Sequence, residues 1–187
     1  GAISLGTLCA FLLERCRFFG KAFFEVAMSL PLCIPAFVSC FTWISLTFRV
    51  EGFWGTIGIM TLSSFPLAYL PVSATLKRLD RSLEEVSLSL GKSSTYTFWH
   101  AIFPQLKPAI GSSILLIALH MLVDFGAVSI LNYETFTTAI FQEYEMSFNN
   151  SSAALLSAVL MAICTIIVFG EIFFRGKQTL YNSGKGV

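Results

Sequence analysis

Charge leaves this chain in long stretches and returns in short ones. No Asp, Glu, Lys or Arg occurs in Gly1–Leu13, Val26–Phe48, Gly52–Leu76 or Met146–Gly170, and Pro108–Tyr133 holds only His120 and Asp124. A spanning helix needs about 20 apolar residues to cross roughly 30 Å of hydrocarbon, and four of these runs reach that length. The run Gly1–Leu13 has 13 residues and would extend only about 20 Å at about 1.5 Å per residue. It has neither a basic leader nor a small-residue cleavage site, so it reads as the C-terminal part of a span that begins outside this chain. The pattern predicts an all-α integral membrane protein, a polytopic helical bundle forming one domain over 1–187. The first span is truncated at 1–13, the others fall at about 26–48, 52–76, 108–131 and 150–172, and a polar loop occupies 77–107.

Composition agrees with that class. Hydrophobic residues make up 55% and charged residues 12%, against about 25% charged in soluble domains. A net charge of +1 gives no reason to expect a nucleic-acid partner. The five cysteines are odd in number and form no Cys-x-x-Cys pair, so no disulfide framework is readable; most lie in apolar runs, where Cys behaves as a small hydrophobe. Nothing in the pattern points to a bound metal or a catalytic residue. The chain has no His-Glu-x-x-His, no Gly-x-Ser-x-Gly and no Gly-x-x-x-x-Gly-Lys-Ser/Thr, which removes the common hydrolase and nucleotide-binding signatures.

Prolines punctuate two spans. Pro31 and Pro35 fall in the second and Pro66 and Pro71 in the third, each removing a backbone donor and kinking its helix. Such kinks either shape the bundle or line a pathway whose gate bends. Gly52, Gly55 and Gly58 make a small-residue face suited to close helix packing. The basic residues set the orientation. Eleven of the twelve Lys and Arg fall in the Glu14–Glu25 loop, the central loop and the C-terminal tail, and only Arg49 lies on the other side. By the positive-inside rule the central loop and the C-terminus are cytoplasmic.

That central loop is the longest stretch too polar for lipid. Leu83, Val86 and Leu90 recur at helical spacing. Gly91 is suited to end that helix in a left-handed conformation, and Ser93 or Ser94 to cap a second one. The second helix would present Tyr96, Phe98, Trp99, Ile102 and Phe103 and stop at Pro104. Glu85 stands six residues before Gly91, and Gly91 thirteen before Pro104. This spacing is similar to the EAA signature of ABC importer permeases: Glu-Ala-Ala, three variable residues, Gly, nine variable residues, then Ile-x-Leu-Pro. Val86 and Ser87 replace the alanines, Ala101 the isoleucine and Phe103 the leucine.

The resemblance implies that the loop forms short coupling helices docking into a cytoplasmic ABC ATPase dimer. Glu85, Gly91 and Pro104 would frame the surface, and Tyr96, Phe98, Trp99 and Phe103 would make the contact. It implies further partners in a second permease half and a periplasmic solute-binding protein. ATP and Mg would sit on the ATPase, with no cofactor bound by this chain. The family resides in the bacterial inner membrane.

Asp124 is the one strongly ionisable residue deep in an apolar run. Carboxylates there are expensive and usually face a partner or a watery path. His120, four residues earlier, shares its helix face, which puts a His–Asp bond within reach. Structural pairing, gating and solute contact all remain open for Asp124. Asp124-Phe125-Gly126 and Thr135-Phe136-Thr137-Thr138-Ala139-Ile140-Phe141 resemble permeases of ferric-iron and related small-solute importers, often two fused halves. The resemblance covers essentially the whole chain as one half and makes ferric iron the expected cargo, with polyamine or thiamine as alternatives. A proton-coupled transporter using Asp124 and His120 is the reading from another class. Glu134, Glu143 and Tyr144 would lie on the periplasmic side, either facing the binding protein or forming a solvated loop. Asn149 or Ser151 would cap the last span, and Glu171 would pair with Arg175.

Overall fold

The computed structural model describes residues 1–16, 19–47, 52–79, 82–146 and 150–183. Helix α1 spans Ala2–Arg15, α2 Lys21–Ala27, α3 Ala36–Leu46, α4 Phe53–Ser64, α5 Pro66–Arg78 and α6 Ser82–Ser89. Helix α7 is the turn Ser94–Thr97, α8 spans Phe103–Val123, α9 Gly126–Ile130, α10 Phe136–Glu145 and α11 Asn150–Ser183. Among the described residues there is no strand.

Among the described residues three continuous helical stretches are long and apolar enough to cross a membrane: Phe53–Arg78, Ser94–Val123 and Asn150–Gly170. The apolar run 26–48 is not one continuous helix. It breaks at Pro31 and Pro35 into α2, a 3₁₀ turn at Leu30–Cys33, and α3, with a bend of 94°. Two prolines four residues apart each withhold an amide from the ladder, so the helix parts instead of bending. A single proline inside α5, Pro71, is tolerated, and Thr75 Oγ1 donates to its carbonyl at 2.8 Å. The span expected at 108–131 also differs. It starts much earlier, at Ser94, and stops at Val123, with Asp124 extended and α9 set off as a separate short helix.

Among the described residues two apolar clusters hold the bundle together. The larger joins α1, α5 and α8 through Ala10, Leu13, Val72, Leu76 and Leu106. The smaller joins α3, α4 and α9 through Cys40, Ile59, Met60 and Leu131. Lipid tails are as apolar as these side chains, so helix association depends on close packing and polar bonds. Close packing falls on an unexpected glycine. A Cβ on Gly6 of α1 would lie 2.5 Å from Phe65 O and 2.8 Å from both Ala68 Cβ and Tyr69 N, whereas Gly52 and Gly58 meet open space. Gly52 and Gly58 therefore do not mark the closest helix approach.

Several hydroxyls along the helices are satisfied within their own helix. Thr42, Ser45, Ser113, Ser157 and Thr165 each donate to the carbonyl four residues earlier at 2.7–2.9 Å. This bond removes the cost of an unpaired hydroxyl in lipid. Helix α11, with Leu155, Met161, Ile166 and Phe169 exposed, packs against α8 and α10 on one side only. Its expected Asn149 cap lies outside the described residues, Ser151 sits inside its first turn, and the Glu171–Arg175 pair lies outside the described side chains.

Candidate functional site

Two arms form the loop between α5 and α8. The first is α6, which closes as a Schellman motif. Gly91 has φ +76, its N–H donates to Leu88 O at 2.9 Å, and Lys92 N donates to Ser87 O at 3.2 Å. A side chain is disfavoured at that φ, which is why glycine sits there. The second arm begins at Ser93, whose hydroxyl accepts from Tyr96 N at 3.2 Å, so Ser93 and not Ser94 is the cap. Ser87 Oγ and the buried Thr97 Oγ1 lie 2.8 Å apart and tie the arms together.

Pro104 does not end the second arm. The helix widens into a π turn over Phe98–Ile102 and runs on into α8, with Pro104 in the first turn after the widening. Proline cannot donate to the carbonyl four residues back, and a π turn absorbs that missing rung. Side chains also bond carbonyls around this turn: Gln105 Nε2 donates to Ala101 O at 2.9 Å, and His100 Nδ1 lies 3.1 Å from Tyr96 O.

The aromatic run divides in two. Tyr96 and Trp99 are exposed, whereas Ile102 is buried and Phe98 and Phe103 are half-buried. Phe98 turns inward, edge-on to Phe11 of α1 with centroids 5.0 Å apart and planes at 81°. The outward surface is completed instead by Val86, Leu88 and Leu90 of α6, Leu90 being 74% and Trp99 53% exposed. Tyr96 stacks on His100 at 4.0 Å, and Lys92 Nζ lies 5.0 Å from the Tyr96 ring centroid. Two adjacent carboxylates part company. Glu85 is exposed and, among the described residues, meets no cation, while Glu84 pairs inward with Arg15 of α1.

Beneath the loop lies a charge network that hydropathy alone did not disclose. Glu14 at the end of α1 is only 6% exposed. Its Oε1 accepts from Ser73 Oγ at 2.6 Å and lies 3.4 Å from Lys77 Nζ, and its Oε2 lies 3.5 Å from Lys21 Nζ. Glu25 bonds the same two lysines, Lys77 at 3.2 Å and Lys21 at 3.7 Å. Alternating signs let the carboxylate stay buried among helices α1, α2 and α5. Glu14 and Arg15 end an apolar run as adjacent opposite charges, and that was the available signal.

The residues expected along a path do not gather. His120 is exposed and makes no bond to Asp124. The helix ends at Val123, so the two no longer share a helical face. Asp124 Oδ1 accepts from Ala127 N at 3.0 Å, capping α9, and its carbonyl accepts from Thr137 Oγ1 of α10 at 3.1 Å. Pro31 and Pro35 sit at the break before α3, and Pro66 is buried at the start of α5. None of the five lines the cleft of about 330 Å³ bounded by Thr56, Met60, Thr61, Met121, Tyr133 and Thr135. Asp124→Asn keeps the acceptor and is expected to melt with the parent protein, whereas Asp124→Ala loses the cap, about 1 kcal/mol; thermal unfolding of both checks this. Glu134 and Tyr144 are exposed and Glu143 half-buried. Among the described residues no three His, Cys, Asp or Glu side chains are grouped to hold a metal ion.

A glycine turn and a serine cap now stand between two membrane-length helices, with Pro104 at fixed spacing inside the second. Residues 2–175 match the sequence pattern of the binding-protein-dependent transport system inner membrane component. The chain belongs to that family. The permease chain is 91% identical over 187 residues to the Fe(3+)-transport system permease protein FbpB 2 of Haemophilus influenzae, covering all of this chain and 37% of that protein. It is 29% identical over 197 residues to the probable sulfate transport system permease protein cysT of Chlorokybus atmophyticus, covering 94% of this chain and 68% of that one. The sulfate transport system permease protein CysT of Escherichia coli is 28% identical over 186 residues, covering 88% of this chain and 66% of that protein. The chain thus spans little more than a third of its Haemophilus relative, and the spans of the bundle suit an inner-membrane permease.

Proposed function

We propose that this chain is a permease half of an ATP-driven bacterial importer that passes ferric iron from a periplasmic binding protein to the cytoplasm. The observation that carries the cargo is the 91% identity to a protein named for Fe(3+) transport. Relatives named for sulfate match this chain at 28–29% identity, so likeness at that level does not select the solute. Loop and C-terminus face the cytoplasm, where the basic residues concentrate. The ABC ATPase dimer docks on Val86, Leu88, Leu90, Tyr96 and Trp99. Apolar and aromatic groups on two short braced arms make a compact anchor of the kind that dominates interface energy. Glu85, Gly91 and Pro104 frame it, and Phe98 and Phe103 support it from within. ATP and Mg belong to that partner. A second permease half completes the pathway, and the side bearing Glu134, Glu143 and Tyr144 receives the binding protein.

The test uses the full-length permease with its ATPase. Labelled ferric iron is expected to enter vesicles in preference to sulfate, putrescine and thiamine; equal or better uptake of another solute overturns the iron assignment. Gly91→Val places a branched side chain at positive φ, a strain of about 1–2 kcal/mol. Uptake and ATPase co-purification are both expected to fall about tenfold, the equivalent of about 1.4 kcal/mol. If both survive intact, the loop is not the docking surface. Uptake driven by a proton gradient without the ATPase would favour the secondary-transporter reading.

A further inference from the structure

The last turn of α1 touches both arms of the loop and, through the residue between those contacts, the helices beneath. Phe11 packs edge-on against Phe98 of the second arm, and Arg15, one turn later, pairs with Glu84 of the first. The Arg15 and Glu84 side chains are 10% and 22% exposed, so the pair is shielded more than a surface pair and held more firmly. Glu14 turns the other way, onto Ser73 and Lys77 of α5 and Lys21 of α2. The Ser87–Thr97 bond makes the two arms one unit. A push on the outward face of the loop therefore reaches α1 at two points and leaves it through Glu14.

We propose that Arg15 and Glu84 are positioning residues for transport: their ion pair, with Phe11 against Phe98, makes the end of α1 the strut that carries loop displacement into the transmembrane helices. This rests on the reading of the loop as an ATPase dock. With the pair broken, the loop still binds the ATPase through its outward face, but its movement slips past α1. ATP is then hydrolysed with less solute moved.

The experiment reconstitutes the full-length permease with its ATPase and binding protein in proteoliposomes, and measures ATP hydrolysed and ferric iron transported. Variants are Arg15→Glu, Glu84→Arg, their combination, and Glu84→Gln, which removes the charge and keeps the shape. Each charge reversal is expected to retain ATPase co-purification and lower iron moved per ATP about fivefold or more, a coupling of the size contacting charges show in double-mutant cycles. The combined exchange restores the ratio towards the parent value, and Glu84→Gln gives a smaller loss. Single variants that couple like the parent protein overturn the proposal. So does a combined exchange no better than the worse single variant, including the case where all reversals merely lose folding. A parent protein that never holds the ATPase overturns the docking reading itself, and is seen before any variant is made.

Discussion

Gly6→Val is expected to lose most of the folded permease. The new Cβ would arrive 2.5 Å from Phe65 O and 2.8 Å from Tyr69 N, both main-chain atoms that no rotamer change can move aside. Overpacking a tight contact costs about 1–3 kcal/mol, and the branched side chain puts this case at or beyond the upper end. The contact lies in the larger cluster, where α1 crosses α5 beside the fully buried Ala68, so separating the helices opens the packing of Leu13, Val72 and Leu76. The measurement is the fraction of monodisperse protein after detergent extraction, with thermal unfolding of what remains. Gly6→Ala should be milder but still destabilised. Adding Ala68→Gly to it should recover only part, because it removes one of the three close atoms. A Gly6→Val protein extracted and melting like the parent would show that α1 and α5 are not this close.

Glu14→Ala ranks next. It removes the acceptor of the buried Ser73 hydroxyl and one counter-charge from each of Lys21 and Lys77. Breaking a buried pair costs about 3–5 kcal/mol, but both lysines keep Glu25 and both are substantially solvated. The expected loss is therefore smaller, about 2–3 kcal/mol. Glu14→Gln retains an acceptor for Ser73 and should fall between the two. Thermal melting of the purified protein reads the difference, and Glu14→Ala melting with the parent would show that Glu25 alone satisfies both lysines.

What the sequence disclosed, and what it hid, follows from the physics of each signal. Charge-free runs announce spans because lipid rejects ions one residue at a time, and the helices Phe53–Arg78 and Asn150–Gly170 fall on the runs at 52–76 and 150–172. The break at Pro31 and Pro35 was visible as two prolines, but a kink and a rupture differ only in what the neighbouring helices supply. The spacing of Glu85, Gly91 and Pro104 marked the loop, and Gly91 and Ser93 carry the turn and the cap. The inward turn of Phe98 was not legible, because the pattern of one short helix does not say which aromatic meets Phe11. Pro104 misled for a related reason: a proline stop is the usual outcome, and a π turn is the rarer escape. Glu14 and Arg15 counted only as charges at a span end until Ser73, Lys77 and Glu84 were seen around them.

The merging of the second arm with α8 has a geometric consequence. Ser94–Val123 is one helix of 30 residues, a lever about 45 Å long at about 1.5 Å per residue. Tilting its Ser94 end by about 10° about a fixed point there sweeps Val123 through about 8 Å on that length. A rotation about the loop end thus displaces the far end most, where Asp124 ties α9 and α10 to the tip.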